Sequence, residues 1–333
     1  MDKPPGNGKI PGYLTTEWMF LAPLAKSLGF CGVGIAPAGP VHPESLTRWN
    51  RWLVSGYEAG LAYMLKNQTP RADTSHPGIV ADADAVVVVA LPYARGAMRG
   101  GCWRYVARHA RGRDYHKTMR RGLKALASAI AQVYPDSRSR VFVDSAPVME
   151  RSWALMAGVG TLLKNGAVCV EGVGPRVLLG EIVLSGAPRP VRGDIGVPFR
   201  DCGDCSRCLE ACPSGAIVAP AVVDSNRCLS YWSIERGKHI IPRAISHQMQ
   251  MIFGCDICTA VCPLNRDGVP SGLEPTLSYS KAPPDLEALL FMGDEALAQV
   301  LEGTALLRSG VSNIRDNAEF VLENIRNQTN HRR

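Results

Sequence analysis

The chain has 333 residues, enough for about two domains, with 46% hydrophobic and 20% charged residues. That balance excludes a disordered chain, and the absence of any run of about 18 apolar residues excludes a hydrophobic membrane-spanning helix. Lysine and arginine number 37 against 30 aspartates and glutamates, a formal charge of +7 that favours an anionic partner without naming one.

Residues 1–13 read as a flexible tail with no apolar core of a secretory signal, which predicts a cytoplasmic protein. Residues 14–36 read as a helix followed by a strand. Trp18, Phe20, Leu21, Leu24 and Leu28 recur at helical spacing, and residues 31–36 are small and apolar. Residues 44–66 read as two helices. Residues 85–91 are β-branched on both faces, as a central strand requires. Residues 114–133 form a long amphipathic helix, residues 140–144 a strand, and residues 148–157 a helix. Residues 166–170 and 176–184 read as strands paired across a turn at 172–175. The fold expected is α+β. An α/β domain over 14–190 is followed by a linker at 186–198, a cysteine-rich domain over 191–270 and a helical segment over 271–333.

Eight of the 11 cysteines lie between Cys202 and Cys262, and clustered thiols in such a chain point to metal rather than to disulfides. Cys202, Cys205, Cys208 and Cys212, followed by Pro213, make the C-x2-C-x2-C-x3-C-P run of bacterial ferredoxins. Cys228, Cys255, Cys258 and Cys262, followed by Pro263, repeat it with 26 residues inserted after the first cysteine. Three closely spaced thiolates reach three irons of one cube, and the fourth points to a second cube. Cys202, Cys205 and Cys208 therefore share a [4Fe-4S] cluster with Cys262, and Cys255, Cys258 and Cys228 share the other with Cys212. Structural zinc rarely uses such a triplet ending in Cys-Pro. The two cubes form an electron relay, and with each carrying about −2 the loaded protein falls to about +3.

Two further features carry chemistry. Arg104, Arg108, Arg111, Arg113, Lys117, Arg120, Arg121 and Lys124 form a basic stretch interleaved with Trp103, Tyr105 and Tyr115. It suits a phosphate backbone, although a solvated helix face would look the same. Asp144 stands at a strand end, where a carboxyl among small residues can have a raised pKa and donate a proton, or simply cap the next helix. Asp114-Tyr115-His116 begins a D-x-H-x-x-G cobalamin pattern, but Met119 replaces its glycine. There is no P-loop, and Gly158-Val-Gly160 lacks the third glycine of a dinucleotide fingerprint.

Several stretches together resemble the epoxyqueuosine reductase family. They are Gly112-Arg-Asp-Tyr-His-Lys117, Phe142-Val-Asp-Ser-Ala-Pro-Val-Met-Glu-Arg151, Ala157-Gly-Val-Gly160 with Lys164-Asn165, Leu179-Gly-Glu181, Arg227-Cys-Leu-Ser-Tyr231, and Gly254-Cys-Asp-Ile-Cys258 through Asn265. The resemblance covers about residues 16–327 and implies a reductase that uses cobalamin and two [4Fe-4S] clusters. Its substrate would be the epoxide of epoxyqueuosine at the wobble base of tRNA, reduced to queuosine. It implies Asp144 as the proton donor, and Arg71, Asp144, Lys164, Asn165, Ser230 and Asp256 around the cobalamin. The implied partners are the tRNA anticodon stem-loop and an external electron donor such as a flavodoxin or ferredoxin, with the protein acting as a monomer away from membranes. Thr161-Leu-Leu163 departs from the family's Trp/Phe-x-Gly/Ala step, and the longer helical-repeat extension of many members is not seen. A corrinoid iron–sulfur reductase acting on a small molecule is the alternative. A plain electron carrier would leave Asp144 and the first domain without a role.

Overall fold

The computed structural model describes residues 12–93, 100–191, 202–266 and 284–330. Most of the expected N-terminal tail, most of the linker at 186–198 and the start of the last segment lie outside them, whereas Tyr13 of that tail is bonded to Ala157 and Ile35. Four strands form one wholly antiparallel sheet: β1 (Gly32–Pro37), β2 (Ala85–Pro92), β3 (Arg138–Phe142) and β4 (Val177–Ser185), in the order β1-β2-β4-β3. Val88 of β2 and Phe142 of β3 both lie opposite Glu181 of β4, which therefore sits between them in one row across the sheet. The fold is α+β, as the alternation of residue types predicts.

Every residue of β2 is buried, because the sheet is covered on both faces. On one face, helix α1 (Leu21–Ser27) and helix α3 (Tyr115–Val133) close a core that includes Trp18, Val87, Val89, Ile182 and Leu184. Met119, Leu123, Leu126 and Ile130 recur along α3 at helical spacing and are fully buried. Gly180 lets α3 approach β4 closely: a Cβ there would meet Met119 Cε at 2.8 Å and Leu123 Cδ1 at 3.0 Å. Asp114 caps this helix, its Oδ1 accepting from the His116 amide at 3.0 Å. On the other face, helix α4 (Glu150–Met156) packs Trp153 and Ala154 against Val86, Val88 and Val183.

The first core continues without a break into the cysteine-rich part. It takes in Leu229, Tyr231 and Trp232 of helix α5 (Leu229–Ile234), then Ile252 and Phe253, and ends on Val321 and Leu322 of helix α6 (Val311–Asn330). Two asparagines of α6 bind backbone carbonyls across this junction. Asn317 Nδ2 donates to Ser233 and Ile252 at 3.0 and 2.8 Å, and Asn324 Nδ2 donates to Ser246 and Met249 at 2.7 and 2.9 Å.

Three expected elements differ. The periodic stretch at 14–28 splits into a 3-10 turn at Thr16–Trp18 and α1, because Pro23 has no amide hydrogen and fits only the first turn of a helix. Val177–Ser185 does not pair with residues 166–170. It is inserted between β2 and β3, where both of its edges are satisfied, and Val168–Cys169 pairs instead with Thr161–Leu162. Strand β3 ends at Phe142, so Asp144 belongs to the turn that follows.

Candidate active site

Asp144 adopts a left-handed backbone, φ +54°, which a non-glycine residue holds only when its surroundings impose it. Here the constraint is Glu150 at the start of α4, whose Oε1 accepts from the Asp144 amide at 2.6 Å. The Asp144 side chain is 48% exposed. Three residues converge on its Oδ2: Tyr115 donates its hydroxyl at 3.0 Å, His116 Nε2 lies at 3.5 Å, and Arg308 NH1 lies at 3.7 Å. Arg308 is itself held by Glu235 at 2.8 Å, and His116 Nδ1 by Asp114 at 2.6 Å.

The electrostatics correct one expectation. Burial alone would raise the Asp144 pKa, but the hydrogen bonds from His116 and Tyr115 and the charge of Arg308 outweigh it and hold the carboxyl below its ordinary value. His116 is the group of the cluster whose protonated form the surroundings favour. Burial would depress that imidazole, yet hydrogen bonds to Asp114 and Asp144 lift it to about 9. Glu150 is pushed up to about 7, mainly by burial and then by the Asp144 charge.

Asp144 and Arg308 open on a cavity of about 650 Å3. Its walls come from Trp49 and Trp52 of helix α2 (Pro43–Val54), from Leu61, Tyr63, Met64 and Arg71, from the turn and helix at 144–152, and from Val222 and Val223. Trp52 Nε1 donates to the Val223 carbonyl at 2.7 Å and ties the two sides together. Around this wall Ser45 Oγ, Trp49 Nε1 and Arg71 Nε are buried with no protein partner. A broad aromatic and aliphatic wall carrying a few orphaned polar atoms suits a large flat macrocycle with amide groups at its rim, so the residues fit a corrin.

The cysteine loops lie beside this cavity. Cys202, Cys205 and Cys262 lie near Cys208; Cys228 and Cys212 lie near Cys255; and Cys258 lies near Cys255, Cys228, Cys212 and Cys208. The Cys212 sulfur accepts from the Ala216 amide at 3.3 Å.

Of the residues named for cobalamin, Arg71 and Asp144 line the cavity. The other four stand among the cysteine loops. Lys164 Nζ donates to the carbonyls of Gly203 and Cys205 at 2.6 and 3.2 Å, and Asn165 Nδ2 donates to that of Cys258 at 3.1 Å. The Ser230 carbonyl accepts from Ser233 Oγ at 3.2 Å, and Asp256 Oδ2 accepts from the Arg108 amide at 2.7 Å. The last bond, with a bridge between Val106 and Phe253, moors the basic stretch to the second cysteine loop. Arg104, Arg113, Lys117, Arg120, Arg121 and Lys124 are exposed, and Arg120 donates to Ser145 Oγ at 3.1 Å, beside Asp144. Arg111 is instead turned inward onto the Val106 carbonyl.

Sequence reasoning missed the roles of Tyr115, His116, Glu150 and Arg308. The Asp114-Tyr115-His116 triplet was the available signal, since an aspartate capping a helix two residues before a histidine places both on its first turn.

One family model, described as a 4Fe-4S double cluster binding domain, matches residues 201–265. Another, described as epoxyqueuosine reductase QueG, DUF1730, matches residues 71–145. An epoxyqueuosine reductase of Synechocystis sp. is 37% identical over 87% of this chain and the whole of the relative. One of Gloeobacter violaceus is 36% identical over 90% of this chain and 93% of its own. A solved epoxyqueuosine reductase bound to an epoxyqueuosine-modified tRNA-Tyr stem loop superposes with a TM-score of 0.77 at 26% identity. It covers 90% of this chain and 79% of that one.

Proposed function

Because the chain belongs to the epoxyqueuosine reductase family of oxidoreductases, we propose that it reduces the epoxide of epoxyqueuosine in tRNA to the alkene of queuosine. The observation that carries this reading is Asp144, fixed at the mouth of the cavity with the His116 imidazole behind it.

Arg71, Trp49, Ser45 and Tyr63 would hold cobalamin in the cavity, with Lys164, Asn165, Ser230 and Asp256 bracing the neighbouring cysteine-rich segments. Bound there, cobalamin supplies a low-valent cobalt centre that can cleave a carbon–oxygen bond, and the two [4Fe-4S] clusters supply its electrons one at a time from an external protein donor. Cys202, Cys205, Cys208 and Cys262 hold one cluster, and Cys212, Cys228, Cys255 and Cys258 the other.

The protein's own task is to deliver protons and hold the substrate. An epoxide opened without a proton would expel an alkoxide, so an acid must stand at the oxygen. Asp144 is the side chain that can reach it. Substrate filling the cavity displaces water from Asp144, and a drier site disfavours the separated imidazolium–carboxylate pair. The shared proton then moves from His116 Nε2 to Asp144 Oδ2 and onward to the oxygen. Asp114 keeps the His116 ring oriented throughout, and Arg308 holds Asp144 in register. The exposed arginines and lysines beside the opening grip the phosphates of the anticodon stem-loop.

The test is conversion of epoxyqueuosine-containing tRNA by the anaerobically loaded protein. Wild type should yield queuosine, and Asp144→Asn should keep both cofactors while losing turnover by about 100-fold or more. Wild-type protein that leaves the tRNA unchanged would remove the function, and an active Asp144→Asn variant would remove the acid.

A further inference from the structure

Ser45, Arg48, Trp49 and Trp52 stand at positions i, i+3, i+4 and i+7 of α2, so they share the face of that helix that lines the cavity. Trp52 gives its indole N–H to the Val223 carbonyl. The other three side chains bond nothing in the protein. Ser45 and Trp49 are 4% and 7% exposed, and both Ser45 Oγ and Trp49 Nε1 are buried without a partner. Arg48, half-buried, makes no hydrogen bond or ion pair among the described residues.

Helix α4 adds Arg151, which is exposed where it lines the same cavity and is close enough to Arg48 to feel its charge. One of its N–H groups goes to the Gly166 carbonyl at 2.9 Å. The charges around the cavity do not balance. Among the described residues four arginines line it, Arg48, Arg71, Arg151 and Arg308, against the carboxyl groups of Asp144 and Glu150. Asp144 is taken by Arg308 and His116. Glu150 bonds the Asp144 amide and is left to face both Arg71 and Arg151. Arg48 is therefore uncompensated and stands beside a like charge.

Every free group at this end of the cavity can donate: the Arg48 fork, the remaining N–H groups of Arg151, the Trp49 indole and the Ser45 hydroxyl. A neutral amide would satisfy the indole or the hydroxyl. Only a negatively charged acceptor answers two neighbouring guanidiniums. Leu155, Leu162 and Val222 line the cavity as well, which suits an anion with organic groups attached better than a small hydrated ion.

We infer that Arg48 and Arg151, with Ser45 and Trp49, form a subsite for a phosphodiester, the one in the nucleotide tail of the cobalamin assigned to this cavity. That phosphodiester is the cofactor's single negative group, because the side chains at the corrin rim end in neutral amides. A phosphate of the tRNA backbone is chained to a nucleotide on each side and meets the exposed arginines and lysines outside the opening, whereas Ser45 and Trp49 are buried and take an anion carried inside on a small molecule. The subsite anchors the tail against α2 and makes the protein select complete corrinoids over those cut short before the phosphate. The inference rests on the cobalamin reading of the cavity.

The test compares cobalamin with cobinamide, which keeps the corrin and lacks the nucleotide tail. Equilibrium dialysis of each against anaerobic, cluster-loaded protein gives the two affinities. Wild type should bind cobalamin at least about tenfold more tightly. Arg48→Met keeps the apolar stem and removes the charge. It should weaken cobalamin about 10- to 100-fold and leave cobinamide within about twofold. Arg48→Lys, which restores the charge without the fork, should recover part of the loss. An Arg48→Met variant that binds cobalamin as wild type does, or that loses both corrinoids equally, overturns the inference. So does a variant that loses affinity for the tRNA stem-loop with cobalamin binding unchanged, since the cluster would then serve the RNA. Should Arg48→Met fail to fold, wild type alone decides: equal affinity for the two corrinoids overturns the subsite. Uptake of neither corrinoid by wild type would instead overturn the cobalamin reading of the cavity, and the subsite with it.

Discussion

Replacing His116 by glutamine removes the imidazolium that sits between Asp114 and Asp144. The imidazole is lifted from 6.5 to about 9. At about 1.36 kcal/mol per pKa unit, that lift corresponds to about 3 kcal/mol of folded-state stabilisation. The side chain is only 16% exposed, so solvent screening removes little of it. Because the folded value lies above the unfolded one, this stabilisation is complete below about pH 6.5 and is lost as pH rises through about 9. At the acid end the direction reverses: Asp114 and Asp144 are held below their ordinary value of 3.8, and their contribution is present above that value and fades as pH falls below it. Denaturant melts of wild type and His116→Gln across the neutral-to-alkaline range should therefore converge by about 3 kcal/mol as pH rises. Proton NMR of the imidazole should place its midpoint near 9, and Asp114→Asn should move that midpoint down, since burial then faces one carboxylate fewer. A midpoint at or below 6.5, or a stability difference that does not vary with pH, would refute the reasoning.

Three further outcomes follow from the same geometry. Anaerobic reconstitution should incorporate about eight irons, and Cys228→Ser should lower that to about four while leaving the other cluster's spectrum intact; bound zinc in place of iron would end the assignment. Charge reversal at Arg113 and Arg120 should weaken stem-loop binding and reduce its salt slope by about two, and an unchanged slope would move the RNA surface elsewhere. Gly34→Ala brings a Cβ to 2.0 Å from the Ala157 carbonyl oxygen, which only a backbone shift relieves. That substitution should cost about 1–3 kcal/mol in a thermal melt, whereas Gly56→Ala, with open space around it, should lose only the strain of its left-handed backbone.

The parts that were legible in the sequence are those whose physics is local. Cysteines two and three residues apart announce a cubic cluster because one short loop must supply its ligands, and α3 announces itself through Met119, Leu123, Leu126 and Ile130 on one face. The unbroken β-branched run of β2 likewise requires cover on both faces. The turn before β4 looked like a hairpin because residues on either side alternate suitably, but strand partners are chosen by the whole sheet. Of the site, Asp144 and Arg71 were legible as residues, and the Asp114-Tyr115-His116 triplet was a signal for His116. Arg308 comes from a separate place in the chain, and nothing in its immediate neighbours marks it. The lowered pKa of Asp144 was equally out of reach, since its neighbours Tyr115 and Arg308 are 29 and 164 positions away.

The two asparagines of α6 have a practical consequence. Each of their side-chain amides satisfies two buried backbone carbonyls, so shortening the chain to a point before Asn317 would take a partner from four acceptors at once. Beyond Asn324 the last turns of the helix are exposed. A purification tag or fluorescent label is best attached there, and a truncated version meant for crystallisation should retain everything up to that residue.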